Sequence, residues 1–288
     1  MRDNNTIMGL ILEIAKNDNR IRAVFQTGSR VNPSVGRDLM QDYDIIYCVR
    51  DVEEFIEDES FLEIMGETIL IHKRESMKTL GNVFNEEFNY SCLFIDGVKI
   101  DFKFYPVEKI STLITTETLL MLLMDKDNLI TQLPASSDVS YRVARPTKNE
   151  FEEATQEFFY RLVETMPYLY RRQIIGAYHA YQPVLKILNL MLGWFIADEK
   201  DYKVNLGKNF REVIKNLDED YESIYFDIYP SMDSEDFWKS IFAVSALYRK
   251  LGLILSGRLD YIYPKELDVK VTAYTRKIWQ MAKKARIQ

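Results

Sequence analysis

Apolar positions in the first half of the chain follow two different spacings. Residues 6–17 carry apolar side chains every three or four positions, which predicts a helix, and residues 113–123, rich in leucine, are also predicted to be helical. Between them lie short stretches rich in β-branched and aromatic residues, the composition of strands. The predicted strands are 21–26, 42–49, 69–72, 90–94 and 98–105. Asp96 and Gly97, between the last two strands, are a typical hairpin turn.

Helical spacing dominates the second half of the chain. Thr147 and Glu150 have the separation of a capping box, which marks the start of a helix. The predicted helices are 150–172, 174–199, 210–217, 234–256 and 270–286. Pro167 and Pro183 are expected to break or kink the first two helices, because proline removes a helical hydrogen bond.

The fold is therefore predicted to be α+β in the first half and all-α in the second. A length of 288 residues exceeds the usual size of one domain, so we expect two. The composition between residues 134 and 147 is typical of a loop, and the boundary is expected there. We assign residues 1–140 to the first domain and 141–288 to the second.

The charge balance narrows the choice of partners. The net charge is −7 and the isoelectric point is near 5.2. A protein that binds nucleic acid usually has a basic face, because phosphate contacts supply most of its affinity. We therefore expect no nucleic-acid partner. An acidic surface attracts cationic small molecules instead.

Cysteine and histidine usage argues against a structural metal site and against export. Cys48, Cys92, His72 and His179 lack the spacing of a zinc site. Two cysteines in a chain of this length fit a reducing compartment, and the polar N-terminus has no signal peptide. The apolar run 185–197 is too short to span a bilayer. We expect a cytoplasmic protein without a membrane partner, with both cysteines buried and His179 in the core.

Three acidic residues form the first part of a candidate reaction site. Asp42 and Asp44 are two positions apart on a predicted strand, so they share a face, with Cα atoms roughly 7 Å apart. Asp101 lies on a later predicted strand. If the two strands are neighbours, the three carboxylates converge. Magnesium prefers such carboxylates together with water and substrate phosphates, which makes it the expected cofactor.

The second part is the segment Gly28-Ser29-Arg30, which directly follows a short predicted strand. Glycine allows backbone amides to approach a phosphate, serine adds a hydroxyl donor, and arginine adds a permanent positive charge. A phosphate cradle beside a metal site is the minimum apparatus for phosphoryl or nucleotidyl transfer. Each part alone occurs often by chance, but their order and spacing together are specific.

This order resembles the nucleotidyltransferase superfamily related to DNA polymerase β. Within that superfamily, the chain is similar to the aminoglycoside 6-adenylyltransferases, which inactivate streptomycin, from about residue 7 to residue 265. The matching stretches are 28–32, 41–45, 99–102, 123–127 and 206–210. The resemblance implies a catalytic domain with a nucleotidyltransferase-type mixed sheet and flanking helices, followed by a helical substrate-binding domain.

The resemblance also implies roles for the candidate residues. Asp42 and Asp44 would hold magnesium, and Asp101 would hold a second magnesium ion or accept the proton of the attacking hydroxyl. Residues 28–30 match the segment that holds the β and γ phosphates of ATP. Lys208 is expected to reach the same triphosphate. The substrate hydroxyl would receive AMP, and pyrophosphate would leave.

The acceptor is expected to be a small cationic compound with hydroxyl groups, an aminoglycoside of the streptomycin type. Glu157 is the candidate that binds its positive charge. Tyr178 and Gln182 are substrate-side candidates of another kind, because relatives carry acids there in an Asp-His-x-x-Asp/Glu pattern. This departure leaves open an adenylyltransferase with another hydroxyl acceptor, a metabolite or a protein. A catalytically inactive nucleotide-binding relative is a third hypothesis, against which the retained acids argue.

Overall fold

A computed structural model describes residues 1–56, 58–73 and 88–285. The chain divides into two compact units, Met1–Ser140 and Tyr141–Gln288. The first contains a mixed sheet with helices and the second is helical. The predicted α+β fold class is confirmed.

The first unit is built on a six-stranded sheet. Its strands are β1 (Ile21–Thr27), β2 (Tyr43–Val49), β3 (Thr68–Lys73), β4 (Phe88–Phe94), β5 (Lys99–Pro106) and β6 (Leu120–Asp125). Their order across the sheet is β3-β4-β5-β2-β1-β6. β2 and β5 run parallel, and the other neighbouring strands run antiparallel. The Asp-Gly hairpin between β4 and β5 is confirmed, with Gly97 at a φ of +82°.

Among the described residues of this unit, three α-helices flank the sheet: α1 (Asn4–Asn17), α2 (Phe61–Met65) and α3 (Ile110–Thr116). Alternate residues of β2 face opposite sides. Tyr43, Ile45 and Tyr47 share a core with α1 and α2, whereas Ile46 and Cys48 share one with α3. Asp44 lies on the α3 side, at the end where β2 begins. The two apolar layers therefore fix the sheet and leave that end of one face polar.

The structure corrects the helix predicted over 113–123. α3 ends at Thr116, and β6 then pairs antiparallel with β1 at the edge of the sheet. Leucine and methionine favour helix locally. Pairing with β1 buries Leu120, however, and this long-range packing outweighs the local preference.

The second unit contains five α-helices among its described residues. They are α4 (Lys148–Tyr170), α5 (Ile174–Glu199), α6 (Glu219–Asp227), α7 (Ser234–Leu259) and α8 (Lys265–Lys284). Neither Pro167 nor Pro183 ends its helix, contrary to a predicted break. Each proline follows or precedes a fully buried residue, Met166 or Val184, and core packing offsets the hydrogen bond that proline removes.

The helix predicted over 210–217 is wrong. The structure has two short 3₁₀ turns there, Lys208–Phe210 and Ile214–Asn216, and α6 begins only at Glu219. Asn209 and Phe210 both have a φ of +58°, in the left-handed region. Two such residues in a row prevent a continuous right-handed helix.

α5 and α7 are long and apolar enough to cross a membrane by length and composition alone. In the most apolar 18 residues of each helix, 61% are buried inside the unit for α5 and 50% for α7. Both helices supply the main core of the second unit, which is what core helices of a folded domain do. Cys48 and Cys92 are buried, as predicted, whereas His179 is exposed and not in the core.

The capping box at the start of α4 gives the first testable prediction. Glu150 N donates to Thr147 Oγ1 at 3.2 Å, and Thr147 N donates to Glu150 Oε2 at 2.7 Å. We expect Thr147→Ala to lower the free energy of unfolding by about 1 kcal/mol, because a helix N–H loses its acceptor. Urea titration followed by circular dichroism measures this change.

Thr116→Ala is the matched control, since Thr116 Oγ1 donates only to a carbonyl within its own helix, that of Thr112. Equal losses in the two variants would contradict a specific role for the capping box.

Candidate active site

The parallel pairing of β2 and β5 places Asp44 directly beside Asp101. On its other side, Asp44 is paired with Thr27, the last residue of β1. Paired residues of neighbouring strands project to the same face, so the two carboxylates share the polar end of the sheet. The strands of the two predicted acidic motifs are therefore neighbours, as the convergence hypothesis required.

Lys99, the first residue of β5, joins this group and was not among the predicted site residues. Its Nζ donates to Asp42 Oδ2 at 2.5 Å and to Asp101 Oδ2 at 3.4 Å. The signal was present in the sequence, because Lys99 lies two positions before Asp101 and shares its face. The positive charge among the carboxylates in the structure is thus a lysine ammonium.

Burial and charge repulsion act together on Asp44. Burial, followed by the negative charges of Asp101 and Asp42, raises the pKa of Asp44 to about 6, although Lys99 and Arg30 oppose the shift. The ionised form of Asp44 is therefore unfavourable in the folded protein unless a cation binds beside it. Carboxylates with such a raised pKa are common at functional sites.

Asp101 has one oxygen whose binding capacity is unused. Oδ1 is buried and has no hydrogen-bond partner among the described residues. Buried polar atoms are normally paired, so an orphaned carboxylate oxygen indicates a missing partner. Three carboxylates with one free oxygen fit the donor preference of magnesium.

As the side chains lie, no three Asp, Glu, His or Cys residues in the described part of the chain are arranged to hold a metal ion. Lys99 instead forms ion pairs with two of the three carboxylates, those of Asp42 and Asp101. The chemistry of the donor set therefore fits magnesium, on condition that Lys99 moves away from the carboxylates.

The turn after β1 packs directly against Asp44. Gly28 has a φ of +76°, and a Cβ built on it would lie 2.1 Å from Asp44 Oδ2. Both the backbone conformation and the close approach therefore require glycine. Ser29 follows in the same 3₁₀ turn, Gly28–Val31, and is partly exposed. The predicted phosphate segment and the acidic group are adjacent in the structure.

Arg30 holds the segment that precedes β2. Its guanidinium donates to the carbonyls of Gln41, at 2.8 Å, and Asp42, at 3.0 Å. It also lies over the ring of Tyr43, 3.7 Å from the centroid. These contacts fix the backbone on which the Asp42 carboxylate is mounted. The phosphate contact expected of Arg30 remains a prediction.

The second unit has a cavity of about 1100 Å³ with an acidic wall. Glu150, Glu153 and Glu157 line it from α4, at helical spacing, and Arg145 is the one cation among its described lining residues. The lining also includes four large aromatic side chains. They are Tyr141, Tyr160, Trp194 and Phe210. Carboxylates beside aromatic faces suit a cationic ligand.

The predicted substrate-side residues take different places. Glu157 lines the cavity and accepts a hydrogen bond from Arg161 Nε at 2.7 Å. Tyr178 packs edge-on against Phe237, and its hydroxyl donates to the carbonyl of Pro230. Gln182 is exposed, and neither of these two lines the cavity.

Lys208 is exposed and begins the first 3₁₀ turn after α5. Its neighbour Gly207 and the nearby Phe210 both line the cavity. Lys208 itself is not among the lining residues, so its predicted contact with a triphosphate stays a prediction.

Comparison with known proteins matches the chain over nearly its whole length. The streptomycin adenylyltransferase family model matches residues 1–278. The aminoglycoside 6-adenylyltransferase of Bacillus subtilis is 34% identical over 281 residues, covering 97% of this chain and 99% of that protein. The enzyme of the same name from Campylobacter jejuni is 35% identical over 280 residues, covering 95% of each.

A crystal structure of an aminoglycoside 6-adenyltransferase from Bacillus subtilis is similar as well. It is 31% identical, with a TM-score of 0.48, over 97% of this chain and 99% of the other.

The mixed sheet, its acidic group and these relatives define the class of the protein, which is a nucleotidyltransferase. The chain belongs to the streptomycin adenylyltransferase family. The resemblance carried by the short sequence motifs is thereby confirmed.

The raised pKa of Asp44 gives a prediction about stability and pH. The folded protein binds a proton at the Asp44 carboxyl more tightly than the unfolded chain does. The stability that Asp44 contributes therefore falls as pH rises from about 4 through about 6. Asp44→Asn removes the charge. In EDTA, we expect it to raise the free energy of unfolding by about 1–3 kcal/mol at pH 8, and by much less at pH 5.

Urea titrations at the two pH values measure this difference. Asp51→Asn is the control, because Asp51 is exposed and an asparagine oxygen can still accept the hydrogen bond from Glu53 N. A gain for Asp44→Asn that is the same at pH 5 and pH 8 would refute the electrostatic explanation.

Proposed function

We propose that this enzyme transfers AMP from magnesium-bound ATP to a hydroxyl of an aminoglycoside of the streptomycin type. The hydroxyl oxygen forms a bond to the α phosphorus, the bond from that phosphorus to the bridging oxygen of the β phosphate breaks, and pyrophosphate leaves. The observation that carries the proposal is the pairing of Asp44 with Asp101 beside the Gly28 turn. The two paired carboxylates repel each other, and a bound cation would remove this repulsion.

Magnesium bound by these residues would neutralise the triphosphate and stabilise the charge that develops on the leaving pyrophosphate. Asp42, Asp44 and Asp101 are the residues that would hold it. The Gly28–Val31 turn offers backbone amides and the Ser29 hydroxyl to phosphate oxygens. Asp101 is also a candidate to accept the hydroxyl proton, because its Oδ1 has no other partner among the described residues.

The acidic cavity of the second unit supports a cationic acceptor. Its three glutamates outnumber its single arginine, so its lining carries a net charge of −2 (one positive minus three negative). Guanidinium and ammonium groups form strong hydrogen bonds with carboxylates, and aromatic faces add cation–π attraction. The proposed acceptor site is this cavity, with Glu157 as one of its anionic contacts.

A second acceptor class is favoured by one observation. Where the family's Asp-His-x-x-Asp/Glu pattern implies acids, this chain has Tyr178, which packs against Phe237, and the exposed Gln182. Neither residue supplies negative charge. A hydroxylated acceptor with fewer positive charges than streptomycin would lose less by this change, so a different metabolite or a protein hydroxyl is the alternative.

Radiolabelled ATP tests the reaction and the acceptor together. With magnesium and streptomycin, we expect labelled AMP on the antibiotic and one pyrophosphate for each transfer. Turnover only with other hydroxylated compounds would support the alternative acceptor. A protein that binds ATP but transfers AMP to no acceptor would be the inactive nucleotide-binding relative.

The proposed role of the carboxylates gives a further prediction in this assay. We expect Asp101→Asn to lower kcat by at least about a hundredfold with the fold intact, because its carboxylate contacts the reacting groups. Asp51→Asn, at an exposed position, should keep wild-type kcat. Retained turnover in folded Asp101→Asn protein would rule out the role.

Glu157→Gln tests the acceptor cavity. The change keeps the shape of the side chain and removes its charge, so we expect KM for the aminoglycoside to rise about tenfold while KM for ATP stays constant. Glu152→Gln is the matched control, because Glu152 is exposed on the same helix and does not line the cavity. Similar KM values in both variants would exclude Glu157 from the acceptor site.

A further inference from the structure

The ammonium group of Lys99 lies among the carboxylates that the proposed function assigns to magnesium. Nζ is 2.5 Å from Asp42 Oδ2 and 3.4 Å from Asp101 Oδ2. We propose that Lys99 is an internal counter-ion that competes with the divalent metal for these two carboxylates and leaves them when a triphosphate arrives. This inference rests on the proposed metal site, but it concerns the loading of that site and not the transfer reaction.

The backbone of Lys99 is fixed while its side chain is able to move. Lys99 begins β5 and is paired with Leu93 of β4, so its Cα cannot shift without disturbing the sheet. The side chains of Lys99, Asp42 and Asp101 are 40%, 36% and 33% exposed. Ion pairs exposed to this extent are weak, and lysine has a long flexible stem. The ammonium can therefore exchange between partners near the sheet end.

Lysine neutralises the acidic group only in part. It contacts one oxygen of each carboxylate, and Asp101 Oδ1 stays without a partner among the described residues. Asp44 has no direct ion pair with it in this structure, although Lys99 acts on its charge from a distance. A purely structural ion pair would be expected to satisfy the buried oxygen. A single lysine charge that leaves a carboxylate oxygen without a partner is expected where a more highly charged cation binds in its place.

A triphosphate would give the displaced ammonium a new partner. Phosphate oxygens attract lysine as a point charge, and the Gly28–Val31 turn that could hold them packs against Asp44. Metal would then load poorly onto the protein alone and well together with the nucleotide. Such coupling keeps the acidic group neutralised at every stage.

The test is the affinity of the nucleotide-free protein for Mn²⁺, read from the electron paramagnetic resonance signal of the free ion. We expect Lys99→Met to bind Mn²⁺ at least about tenfold more tightly than wild type, since its competitor is gone. Lys99→Arg keeps the charge and should bind as weakly as wild type. Lys103→Met is the matched control, because Lys103 lies on the same strand and face, four positions after Lys99, and it should change the affinity less than about twofold.

A second measurement addresses the release step. In EDTA, a non-hydrolysable ATP analogue should bind wild type through Lys99 and bind Lys99→Met at least about tenfold more weakly. Circular dichroism checks that the variants are folded, and Lys99→Gln replaces the methionine variant if that one is not. The following results would each overturn the inference: unchanged or weaker Mn²⁺ binding in the folded variant, equal tightening in Lys103→Met, or unchanged binding of the analogue.

These readouts do not depend on turnover. If Lys99→Met binds Mn²⁺ more tightly and the analogue more weakly, but wild-type protein transfers no AMP to any acceptor, the proposed function fails and the role of Lys99 stands.

Discussion

The repulsion between carboxylates at the start of β2 and β5 is the constraint on which the first unit depends. The parallel register leaves Asp44 and Asp101 side by side. Asp42 lies two residues before Asp44 in the chain. A sheet cannot move two paired residues apart without breaking its ladder. The repulsion must therefore be compensated by positive charge close to the carboxylates, and the surrounding residues provide this charge or hold the carboxylates in place. Lys99 brings an ammonium group, Arg30 fixes the backbone of Asp42, and Gly28 leaves room for Asp44.

The rest of the unit opposes this repulsion with a rigid apolar core. Tyr47 stacks on Phe102 with ring centroids 5.7 Å apart, and Phe55 stacks on Phe104 at 4.4 Å. These rings lie on the face opposite the acidic group and tie β2 to β5 and to the segment before α2. Stability that is lost at a charged site is commonly offset elsewhere in the fold. A site built on two central strands is also positioned more accurately than one on loops.

Sequence patterns predicted what depends on near neighbours and missed what depends on distant ones. Alternation along β2 was enough to place Asp42 and Asp44 on one face, and Thr147 with Glu150 was enough to start α4, whereas the position of Asp101 beside them depended on the pairing of β2 with β5. β6 was missed because its strand state depends on pairing with β1, about a hundred residues earlier in the chain. The turns near Asn209 were missed because positive φ at a non-glycine residue has little sequence signature. Lys99 was missed as a partner of Asp42 because their contact requires the register of a parallel pair.

The two units, taken separately, carry negative charge for opposite purposes under the proposed function. In the first unit, the carboxylates would repel an anionic nucleotide, so they can bind it only through a cation that lies between the two. In the second, Glu150, Glu153 and Glu157 face the cavity directly, and a cationic acceptor needs no mediator. Only Glu157 was singled out from sequence, although a spacing of three and four residues would have identified all three as one helical stripe. In the first group the lysine ammonium contacts the carboxylates that would bind the metal, whereas in the second the arginine that pairs with Glu157 leaves Glu150 and Glu153 beside aromatic rings that a cationic acceptor can contact.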